Sequence, residues 1–146
     1  RAMRFCFRGR EPAALEDVWA GWETLLGPDE ADLMVGLVGG LVHRLDAAAL
    51  RQVMALPIGC HRMSGSEALV LQLVAAQQHG RPDLANLAAA RLITPNAIGS
   101  VLEPARKIGA LMLAKAHPLP VPSLETIDEA ARHIDRPCPC QMRKRR

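Results

Sequence analysis

The stretch MSGSEALVLQLVAAQQHG, residues 63–80, carries the strongest helix signal in the chain. Ser64 precedes Glu67 by three residues, the spacing at which each side chain can accept from the other's backbone N–H at a helix start. Leu69, Val70, Leu73 and Val74 then recur at intervals of three and four, as one face of a helix does, until His79-Gly80 ends the pattern. Spacing of this kind extends over nearly the whole chain, so the expected fold class is all-α.

Downstream, a helix is expected from Pro82 to Leu92, with Leu84, Leu87 and Ala88 on its apolar face. Thr94-Pro95 starts another, Thr as N-cap and Pro at the first helical position, and Ile98 and Val101 follow. Pro104 should break or kink what comes next, while Ile108, Leu111 and Met112 continue the pattern to Ala116. Alternating Pro118, Pro120 and Pro122 force a short extended linker. Ser123 caps a last helix with Ile127, Ala131 and Ile134 inward, before a Pro-Cys-Pro-Cys segment and a basic tail.

Upstream, Leu15, Val18, Trp19, Trp22, Leu25 and Leu26 mark an amphipathic helix that begins near Pro12 and stops at Gly27-Pro28. Asp29 to Asp32 place negative charge at the start of the next helix, where the macrodipole favours it. From Leu33 to Leu45 that helix is apolar over most of its circumference, which predicts a central, buried position. Gly36 and Gly40, one turn apart, point to a close crossing with a neighbouring backbone. Asp46 can cap a shorter helix with Leu50, Val53 and Met54, ended by Pro57, and the Pro57-Ile58-Gly59 turn opens a loop through Cys60, His61 and Arg62.

These elements add up to a single-domain bundle of about six to seven helices, with a buried helix at residues 33–45 and a helix-turn-helix-like unit at residues 64–102. Residues 1–117 form the bundle; residues 118–146 supply the proline linker, a short helix and a basic Cys-Pro tail packed on or trailing from it. The 146 residues are 49% apolar, enough to bury a core without disulfides or metal. Only 3% are aromatic and none is Tyr, which excludes an aromatic-rich β-sandwich and a base-stacking platform. The core must be aliphatic.

The net charge of +3 hides a separation. Glu11, Glu16, Asp17, Glu23, Asp29, Glu30 and Asp32 meet no Lys or Arg between residues 11 and 43. Arg1, Arg4, Arg8 and Arg10 stand at one end, and Arg132, Arg136, Arg143, Lys144, Arg145 and Arg146 at the other. Such ends either meet an anionic partner or fold back on the acidic stretch. The longest apolar run, Leu33 to Val42, is about half of what a membrane span needs, so no membrane association is expected. Four Cys in a chain of this size suit reduced thiols and a cytoplasmic setting.

Two patterns are candidates for chemistry. Met63-Ser64-Gly65-Ser66-Glu67, with Val70-Leu71 and Leu73-Val74, resembles the first helix of the LuxR-type DNA-binding domain, and Ile93 to Leu102 resembles the turn and recognition helix of MarR-like and LuxR-like regulators. The resemblance covers about a quarter of the chain. It implies that Asn96 and Ser100 would face base edges, with Arg91, Arg106 and Lys107 supplying phosphate contacts. The sequence departs from that pattern in having Leu92 at the turn position usually held by Gly, Arg91 at an apolar position, and no basic residue from Pro95 to Glu103. Cys60, His61, His133, Cys138 and Cys140 are thiolate and imidazole donors of the kind that bind zinc, but their spacing is unlike a zinc knuckle. A phosphate loop, nucleophile elbow, HExxH or EF-hand is absent, so no catalytic residue and no cofactor is expected. The function expected is a non-enzymatic, intracellular binding or regulatory domain associating with another protein or with itself; DNA-binding regulator and small zinc-binding protein are the alternatives.

Overall fold

The computed structural model describes residues 3, 4, 6, 12–57 and 60–134. Its helices are α1 (Pro12–Leu26), α2 (Pro28–Ala47), α3 (Gly65–Gln78), α4 (Pro82–Ala90), α5 (Ile98–Ala114) and α6 (Leu124–Arg132), with a 3-10 turn (Pro95–Ala97) leading into α5. Met3, Arg4 and Cys6 also have helical backbone. Among the described residues there is no strand, only an isolated antiparallel bridge between Ala49 and Ile93. The molecule is an all-α bundle, as the periodicity implies.

The capping box starts α3 as its spacing requires: Ser64 Oγ accepts from the Glu67 backbone N–H at 3.1 Å, and Glu67 Oε2 accepts from that of Ser64 at 2.8 Å. From there α3 runs through the middle of the molecule, packed against α4, α5 and α6, with Leu69 and Leu73 wholly enclosed. Two glycines set how closely its neighbours approach. A Cβ on Gly65 would lie 2.4 Å from the Ala130 carbonyl oxygen and 2.5 Å from the Ile134 nitrogen, so the C-terminal end of α6 rests directly on the start of α3. A Cβ on Gly109 of α5 would meet Val74 and Gln78 of α3 at 3.2 Å. Gln78 clamps the opposite end, donating to the Gly109 and His117 carbonyls and accepting from the Leu119 N–H, which fixes the start of the proline linker.

α1 and α2 form a hairpin through Gly27 (φ 97°), and α2 also packs on α5. Met34, Leu41, Val42 and Leu45 of α2 are buried, but Leu33 is 54% exposed and Gly36 lies in the open. The helix over residues 33–45 is therefore a wall of the bundle with a solvated outer side, and α3 holds the middle. Among the described residues no backbone crosses at its glycines: nothing lies within 4 Å of a Cβ built on Gly36 or Gly39, and at Gly40 the nearest group is the guanidinium of Arg44 in the same helix.

Three further expectations need correction. Asp46 caps nothing; it lies inside α2, and no helix forms over residues 50–54. Backbone groups there bond elsewhere: Leu50 N–H to the Leu92 carbonyl, Met54 N–H to Ser66 Oγ, Leu56 N–H to Glu67 Oε1. Of the break or kink expected at Pro104, the break does not occur: α5 passes through it with Pro104 buried, and the carbonyl that loses its donor is that of exposed Ser100. Thr94 takes the extended cap conformation before Pro95, yet its side chain makes no cap bond. The final helix begins as expected, with Ser123 and Thr126 in a reciprocal box and Ile127 enclosed, although Ala130 rather than Ala131 is the buried alanine.

Candidate functional site

Val70, Leu71 and Val74 share one side of α3, and α5 brings Ile108 and Met112 to face them. α2 contributes Val38, Leu41 and Val42, α1 contributes Trp22, and Met3 and Leu119 complete the wall. Together they enclose an apolar pocket of about 200 Å³. Leu71, 41% exposed, is the one lining residue that is largely open to solvent. Ligand sites for drug-sized molecules run from about 300 Å³ upward and carry a few orienting polar groups. Here the described lining is aliphatic apart from Met3, Met112 and the Trp22 ring. An engineered dry cavity of about 150 Å³ accepts benzene, so a space of this volume has room for a group about the size of one bulky apolar side chain.

α1, which carries Trp22 into the pocket, exposes Glu16, Asp17 and Glu23, and holds no Lys or Arg. Trp19 beside it is half-buried and donates from Nε1 to Asp32 at 2.7 Å. Asp29 and Asp32 are exposed on α2, whereas Glu30 is paired with Lys115 at 2.7 Å. The Lys115 hydrogen bond holds the Glu30 carboxyl below the usual glutamate range.

Arg4 is anchored next to the pocket. Its Nε donates to Glu67 Oε1 at 2.5 Å and its Nη2 to Glu67 Oε2 at 3.1 Å. The remaining guanidinium hydrogens go to the carbonyls of Pro57, Cys60 and Arg62. Glu67 is 2% exposed and Arg4 12%, so this is a buried ion pair whose polar valences are filled. Among the described residues no buried side-chain nitrogen or oxygen lacks a partner.

The residues of the helix-turn-helix reading lie at the other side of α5. Asn96, Ser100, Arg106 and Lys107 are exposed. Ser100 Oγ donates to the Ala97 carbonyl at 2.7 Å, and Lys107 pairs with Glu103 at 2.8 Å. Glu103 is thus an acid on the face that would meet phosphate, held below its usual range by the Lys107 hydrogen bond and, to a lesser degree, by Arg106 and Arg44. Arg91 is turned toward α6 and pairs with Asp128 at 3.1 Å beside a shallow cleft. Leu92 is buried, and positive φ among the described residues occurs only at Gly27, Gly80 and Ala116, so the turn is not built on the glycine conformation of a helix-turn-helix.

Of the metal candidates, Cys138 and Cys140 lie outside the described residues. Cys60 and His133 are half-buried and His61 is exposed. The contact of Gly65 with His133 brings the loop of Cys60 and His61 toward the end of α6, but no group of three or more metal-binding side chains occurs among the described residues. No described helix is long and apolar enough to cross a membrane.

Neither the pocket nor the Arg4 pair is signalled by residue spacing. Arg4 and Glu67 are 63 positions apart, and the pocket draws on four helices. In comparison with known proteins, the chain matches no family model, no curated protein and no solved structure.

Proposed function

We propose that the protein is a non-enzymatic binding module, and that its apolar pocket receives a bulky side chain from a basic amphipathic helix of another protein. One observation carries this reading: an apolar pocket of about 200 Å³ is lined in part by Trp22 of α1, a helix whose exposed charged side chains are all acidic. The apolar side chain supplies the anchor, and the positive face of the same helix meets Glu16, Asp17 and Glu23. Attraction between opposite charges adds encounter rate and discrimination more than raw affinity.

The test is an anisotropy titration of the full chain with a fluorescein-labelled helical peptide of Leu and Lys. Saturable binding is expected, weakened about tenfold or more by Leu71→Lys, since an ammonium at this exposed pocket residue opposes both the desolvation of the anchor and the approach of the peptide's Lys face. Equal binding by wild type and Leu71→Lys contradicts the site, and light scattering that shows a concentration-dependent dimer lost in Leu71→Lys assigns the face to a second copy instead. A second reading is DNA binding through α5, favoured by the joint exposure of Asn96, Ser100 and Arg106. It requires affinity for mixed-sequence DNA that falls steeply with salt.

A further inference from the structure

We infer that the outer face of α2 is a homodimer contact, on which α2 of a second copy crosses antiparallel about a two-fold axis between Gly36 and Gly40. The inference is independent of the pocket, which α2 lines from its inner side with Val38, Leu41 and Val42. Asp32, Gly36, Gly40 and Arg44 stand one turn apart along the outer side, and Leu33, 54% exposed, adjoins them. A glycine inside a helix costs stability unless something needs the missing side chain, and α2 holds Gly36, Gly39 and Gly40 in its middle. Within the described residues nothing needs it: no atom lies within 4 Å of a Cβ built on Gly36 or Gly39, and at Gly40 only the flexible end of Arg44 comes close. The missing side chains leave room for the backbone of another helix at the near end of the usual interaxial range.

The charges on this face select the occupant. Asp29 and Asp32 are exposed toward the start of α2, and Arg44 is exposed near its end. In the antiparallel arrangement, stepping outward from the axis, Gly36 faces Gly40 of the second copy, Leu33 faces His43 and Asp32 faces Arg44. The two-fold makes each of these pairs twice. A parallel crossing would set Asp32 against Asp32 and Arg44 against Arg44. Both charged groups have capacity to spare. Asp32 Oδ1 accepts from Trp19 Nε1 at 2.7 Å, which leaves Oδ2 for a partner. Among the described residues Arg44 has no carboxylate of its own: it donates to the Gly40 carbonyl at 3.2 Å, while neighbouring Glu103 is paired with Lys107 at 2.8 Å. Turning Arg44 toward Asp32 of the second copy also uncovers Gly40.

The experiment is sedimentation equilibrium of the full chain at low salt, which is expected to show a monomer–dimer equilibrium that weakens as salt is raised. Gly36→Leu should weaken the dimer about tenfold or more, and because leucine is the better helix former, this loss is separable from unfolding. Asp32→Arg and Arg44→Asp should each weaken their own homodimers about tenfold. An equimolar mixture of these two variants should associate as wild type does, since both contacts of the mixed pair are again opposite in charge. Leu71→Lys should leave the dimer intact. Monomer alone up to about 1 mM overturns the inference. So does a dimer that survives Gly36→Leu, or a mixture that associates no better than its components. A dimer lost in Leu71→Lys also overturns it, because the contact then lies at the pocket.

Discussion

Glu67 takes hydrogen bonds from Arg4 Nε and Nη2, Leu56 N–H and Ser64 N–H, which makes one carboxylate the joint of a helix start, an ion pair and a loop. Removing it strands a buried guanidinium, and breaking a buried pair on one side typically costs about 3–5 kcal/mol. Glu67→Ala is therefore expected to lower the urea midpoint far more than Ser123→Ala, which removes an exposed cap worth about 1 kcal/mol. Comparable midpoints for the two variants would show that the Arg4 pair contributes little. Gly65→Ala is a second severe change, because its Cβ would fall within 2.6 Å of backbone atoms of Ala130 in α6 and of His133 and Ile134 just after it. Overpacking of this kind costs about 1–3 kcal/mol, and hydrogen exchange should report it as lost protection in α6 ahead of the other helices. The cap half of Glu67 is legible in the sequence, since Ser64 and Glu67 are local. Its ion-pair half is not, because no periodicity links it to Arg4.

Among the elements, those governed by local pattern are the ones that sequence alone places well. Ser64 and Ser123 cap where expected, and Gly27-Pro28 divides α1 from α2. Residues 48–57 defeat the pattern because their hydrogen bonds are long-range: Leu50 N–H bonds to Leu92 and Thr94 N–H to Ala48, forming the bridge that tethers the α4–α5 turn. Pro104 defeats it because a single missing N–H on an exposed turn is tolerated when the ring itself is buried. Between elements, Lys115 ties the end of α5 to Glu30 in the first turn of α2. Glu30, Asp83 and Glu103 are all held below their usual range, each chiefly by the hydrogen bond of its own cation. A carboxyl whose folded pKa is depressed contributes stability above its unfolded pKa and loses it as pH falls through the folded value. Stability should thus be flat from neutrality to about pH 5 and decline below about pH 4.5, the ordinary carboxylate region. In Lys115→Met the Glu30 titration midpoint should move up, as followed by its side-chain carboxyl NMR signal; an unmoved midpoint would mean that the pair is not formed in solution.

At the scale of the whole molecule, composition and period specify an aliphatic helical bundle, but they do not show which helix is enclosed. α2 has the longest apolar run, yet its Leu33 side faces water; α3, with Leu69 and Leu73 enclosed and Glu67 satisfied by Arg4, occupies the middle. The charge separation read from the sequence is also resolved in part. Lys115 meets the acidic stretch at Glu30 and Arg4 turns to Glu67, while Glu16, Asp17 and Glu23 of α1 are exposed. The pocket escapes sequence reading because it is a gap between helices, defined by what fails to fill it. The most direct test of the docking account is methyl NMR of the full chain titrated with the Leu–Lys helical peptide. The account predicts shifts confined to the methyls that line the pocket, on α2 (Val38, Leu41, Val42), α3 (Val70, Leu71, Val74) and α5 (Ile108, Met112) and at Leu119, with exposed Leu124 on α6 unchanged. Shifts centred on Leu124, or spread evenly over all methyls, would contradict it.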